Sequence, residues 1–67
     1  MLDEPDIWRA ANLLLKHHGN DARLVAAQRA DEMLTRGDLI GQAIWKRITA
    51  AVEELIRRKP KQGEWVN

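Results

Sequence analysis

Apolar residues recur at helical spacing along most of the chain, and no segment alternates apolar and polar residues over enough positions to make a strand. At 100° per residue, Ile7, Ala11, Leu14 and His18 share one stripe, with Trp8 and Leu15 on its flank and Arg9, Asn12 and Lys16 opposite. A second segment groups Ala22, Ala26, Ala30, Met33 and Leu34 against a polar side of Gln28, Asp31, Glu32 and Thr35. Its inner face is mostly alanine, which allows close helix approach but buries little area per residue. The third segment is the strongest: Ile40, Ile44, Ile48, Ala51 and Leu55 form a seam, widened by Trp45, Val52 and Ile56 into an arc able to touch two neighbours.

Punctuation separates these segments. Gly19 and Gly37 suit the left-handed residue that follows a helix, and Asp3, Asn20 or Asp21, and Asp38 are short acceptors where an N-cap is wanted. Pro60 disfavours helix at Lys59. The pattern predicts helices over about 4–18, 21–36 and 39–59. Connections of two or three residues favour antiparallel neighbours. The expected fold is all-α, a small three-helix bundle running up-down-up over 1–59, followed by a short C-terminal tail, 60–67.

Length adds a constraint: 67 residues allow one domain near the lower limit for independent folding. With no cysteine and two adjacent histidines, disulfides and an ordinary structural zinc site are not expected to supplement the core. Self-association remains as a source of stability. Eleven basic and ten acidic residues leave a charge of +1, too little to draw in nucleic acid or anionic membrane by field alone. The acidic start "MLDEPD" and a longest apolar run of Leu13-Leu14-Leu15 suggest neither a secretory signal nor a membrane span. A bacterial-type cytoplasmic protein is expected.

Candidate chemistry is sparse. In "KHHGND" (16–21), His17 and His18 point about 100° apart and cannot chelate one ion from a regular helix. His18 instead projects onto the core stripe as a helix-end residue. Asp31 and Glu32 fall on the polar side with no nucleophile or histidine to join them. Three short helices around their own core are also not expected to leave a cleft of about 300 Å³. The chain is therefore expected to be no enzyme and to need no cofactor or metal.

Two surfaces carry the functional reading. Three tryptophans are many for this length, and indoles are enriched at binding hot spots. The expected contact surface comprises Trp8, Leu15, Leu24, Trp45, Val52, Ile56 and Trp65, of which Leu24 stands alone among polar neighbours. The alternative is a basic cluster, Lys46, Arg47, Arg57, Arg58, Lys59 and Lys61, contacting nucleic acid weakly. The second and third helices outline a helix-turn-helix, but the third begins Asp38, Leu39, Ile40, Gly41, which offers little to base edges.

The stretches "WRAANLLLKHHGNDA", "VAAQRADEML", "GDLIGQAIWKRI" and "AVEEL" resemble a family of short all-helical proteins of unknown function from alphaproteobacteria, over about residues 6–56 and the tail. The resemblance implies a small helical bacterial protein and supplies no activity, ligand or catalytic residue. The leading expectation is thus a non-enzymatic helical protein-interaction module that forms a homodimer or binds a protein partner, with no membrane and no small-molecule substrate. Weak nucleic-acid binding is the alternative.

Overall fold

The computed structural model describes residues 4–58, which are helical throughout apart from one short connection, with no strand among them. Two helical stretches make the fold. The first is long and bent: α1 (Glu4–His18) passes through a single 3-10 turn (Gly19–Asp21) into α2 (Ala22–Thr35) with no non-helical residue between. The second is α3 (Leu39–Arg58). Separate first and second helices were expected, and the helical connection at the bend is the difference.

The bend is local backbone chemistry. Gly19 takes φ +57, where a β-carbon would be strained. Beyond it the Ala22 N–H donates to the Gly19 carbonyl, and Asp21 sits at φ −86, ψ −3 with no capping bond from its side chain. The expected cap at Asn20 or Asp21 is therefore not used. A capping side chain needs an extended backbone to swing onto the second or third N–H, whereas Asp21 is already in the helical region.

The opposite connection, Arg36–Asp38, follows the expected plan. Gly37 has φ +78, its N–H donates to Leu34 O at 3.0 Å, and the Asp38 N–H donates to Met33 O at 2.8 Å. This pair of bonds is the Schellman closure of α2. Asp38 then starts α3, accepting the Gly41 N–H on Oδ1 at 2.8 Å and the Gln42 N–H on its carbonyl at 2.9 Å. One aspartate ends one helix and caps the next.

At the far end of this hairpin, Arg23 of α2 lies 3.5 Å from Glu53 of α3, so the two helices run antiparallel. Theirs is the most extensive interface; α1 against α3 is next and α1 against α2 the smallest. In the first turn of α1, Glu4 pairs with Arg47 in the middle of α3. The helix α1 therefore begins level with Arg47.

The shared core is Ile7, Ala11, Ala22, Ala26, Ile48, Ala51 and Val52, with Trp8, Ala10, Leu14, Leu15, Ile44, Trp45 and Leu55 packed around it. Five of the eight buried residues among those described are alanines, Ala30 being the eighth member, and only Ile7, Ile48 and Val52 are larger. Backbone proximity rather than side-chain bulk fills this interior. Three expectations about the core fail. His18 is exposed, because as the last residue of α1 it has φ −120, away from helical values, and the stripe no longer extrapolates to it. Leu34 and Ile40 are also exposed, because α1 starts too far along α3 to cover them.

Candidate interaction surface

The closure at Arg36–Asp38 satisfies its backbone bonds with polar groups alone. In a Schellman ending the residue after the glycine often packs an apolar side chain back onto the helix; here that residue is Asp38, committed to capping α3. The neighbouring aliphatic residues are left open. Leu34 is 51% exposed, Leu39 64% and Ile40 77%, while Met33 and Ile44 are half-buried beside them. A three-residue turn holds all of these at one end of the hairpin. Gly41 allows it, since a β-carbon there would stand 2.7 Å from Asp38 Oδ2 and 2.9 Å from Met33 Sδ.

Of the contact residues expected from the sequence, Trp8, Leu15 and Trp45 are half-buried and pack on the chain's own core. Val52 is 0% exposed and cannot contact a partner. It lies about 40° from Ile48 on α3, inside the arc that α1 and α2 close over. Leu24, at 55%, and Ile56, at 39%, are exposed but lie on different helices away from the turn. Trp65 lies outside the described residues, as do Asp3, Lys59 and Lys61.

Three of the four described members of the basic cluster are occupied. Arg57 and Arg58 both reach Glu54, at 3.3 and 3.2 Å, and Arg47 holds Glu4. Glu54 thus serves both arginines at the end of α3, whereas Glu53 turns to Arg23 of α2. Lys46 lies in an open groove of about 320 Å³ between α2 and α3, with Asp31 and Glu53 among its walls. That volume exceeds the expectation of no hollow near 300 Å³. Its floor is Ala27 and Ala30, and Thr49 turns its hydroxyl onto Trp45 O at 2.8 Å. The groove is a furrow open to water, left because alanine replaces bulk along α2. A second hollow of about 240 Å³ lies between Glu4, Ile7 and Trp8 on one side and Arg47, Ala50 and Ala51 on the other.

His17 and His18 are exposed, and no group of three metal-ligating side chains occurs among the described residues. Nor is any helix among those residues long and apolar enough to cross a membrane. The chain matches no protein-family model, no curated protein and no solved structure.

The residues missed in the sequence are Leu39 and, as surface, Leu34 and Ile40. A signal existed. Leu39 stands roughly opposite Ile48 on the helix, off the seam, and with Leu34 and Ile40 it brackets the strongest turn signal in the chain, "RGD" (36–38).

Proposed function

We propose that this chain is a non-enzymatic interaction module of the bacterial cytoplasm, its bent stretch and α3 acting as an up-down-up three-helix unit, and that it self-associates. The observation carrying this reading is an imbalance between core and surface. Among the described residues only three buried side chains are larger than alanine, Ile7, Ile48 and Val52, while Leu13, Leu24, Leu34, Leu39, Ile40 and Ile56 are all exposed. Exposed aliphatic residues are ordinary when scattered; three gathered at one turn are what a helical partner surface requires.

Sedimentation of the full chain across the micromolar range tests the reading. The expected result is a weight-average mass rising from monomer to dimer with concentration. A compact monomer at every concentration would refute self-association. Nucleic-acid contact is less favoured, because Arg47, Arg57 and Arg58 are already engaged by Glu4 and Glu54.

A further inference from the structure

We infer that the open end of the α2–α3 hairpin is the dimer surface, and that its occupant is the same end of a second copy, with Leu34, Leu39 and Ile40 meeting their equivalents across a two-fold axis. The inference rests on the self-association proposed above and gives it a location. Two features of the molecule support it.

The first is area. Half to three quarters of three large aliphatic side chains are open, on the order of 300 Å² per copy, comparable to the largest apolar patch an ordinary monomer leaves uncovered. Pairing two copies would cover about 600 Å² of apolar surface. With some 60% of an interface apolar, the total is about 1,000 Å², at the threshold for a specific contact. A weak, concentration-dependent dimer is what such an area supports.

The second is charge. Arg36 makes no ion pair among the described residues, and Asp38, two positions away, uses one oxygen on Gly41 and keeps the other. These opposite charges flank the apolar residues on one chain. A two-fold axis through the turn sets Arg36 of each copy beside Asp38 of the other, the self-complementary arrangement that an isologous contact demands.

The test compares the full chain with Ile40→Glu and Leu24→Glu, measuring mass against concentration and helicity by circular dichroism. Ile40 is mostly exposed, so its variant should stay helical while dissociating at least about tenfold more readily, a hot-spot-sized effect. Leu24→Glu, altering an exposed leucine elsewhere, should dimerise normally. Because the chain has no cysteine, Leu39→Cys with a short bismaleimide gives an independent readout: a covalent dimer is expected there and not with Gln28→Cys. If the parent chain dimerises while Ile40→Glu does so equally and Leu39→Cys fails to cross-link, this surface is wrong though self-association stands. If the parent chain is a monomer throughout, both readings fall together.

Discussion

Substituting Gly41 by alanine sets two effects of similar size against each other. In an exposed helix interior, alanine is favoured over glycine by about 1 kcal/mol; in the first turn, where the N–H has no helical partner, roughly half of that gain is expected. Against it stands the space around the added methyl. Its carbon would lie 2.7 Å from Asp38 Oδ2, 2.9 Å from Asp38 Cγ and 2.9 Å from Met33 Sδ. The thioether can swing aside for a few tenths of a kcal/mol. The carboxylate cannot move without releasing the Gly41 N–H, held at 2.8 Å, and losing a helix cap costs about 1 kcal/mol. The balance is a loss of about 1 kcal/mol, or a Tm lower by roughly 4–8 °C for a domain this small. Thermal unfolding at one fixed concentration measures it, since any self-association would make Tm concentration-dependent. The decisive comparison is with Asp38→Ala: once the carboxylate is gone, Gly41→Ala should become neutral or stabilising. Equal effects of Gly41→Ala in both backgrounds would mean no coupling between the two residues and would refute the steric argument.

Val52→Ala should cost about 2 kcal/mol, with a Tm loss independent of protein concentration, because Val52 is enclosed within one chain. Ala26→Leu should destabilise by about 1–3 kcal/mol in denaturant titration, since Ala26 is fully buried where helices approach closely and added carbons force the backbones apart. Gly37→Ala, imposing a β-carbon at φ +78, should lower stability by about 1 kcal/mol, and Gly37→Asn by less, in the same titration. That last ranking depends on backbone strain alone, for nothing lies within 4 Å of the added carbon.

Helical class and the sites of the glycine turns were legible because each rests on local chemistry. Period 3.6 in the apolar residues requires no knowledge of neighbours, and a positive φ after a helix selects glycine wherever the chain then goes. The same locality explains the use of Asp38 as a cap and the failure of Asp21. Both are aspartates shortly after a glycine, Asp38 next to Gly37 and Asp21 two residues past Gly19, but Asp38 follows a complete Schellman closure whereas Asp21 is drawn into a 3-10 turn that supplies the Ala22 N–H with a backbone partner.

What periodicity cannot supply is the relative level of two packed helices. The seam Ile40, Ile44, Ile48, Ala51, Leu55 is one continuous face on a wheel, yet burial runs from 77% exposed at Ile40 to 2% at Ile48. The wheel gives angle and says nothing of height. Height is set where α1 meets α3, and the pairing of Glu4 with Arg47 puts its first turn about 10 Å beyond Ile40. An alanine-lined α2 brings the helices close but cannot lengthen α1 to cover that turn. For the same reason the indoles at the stripe edges turn inward as core flanks, while the open surface lies where one helix begins later than its neighbour. The contact face of such a small helical chain is therefore to be sought first at helix ends that outrun their partners, and only afterwards among its most hydrophobic residues.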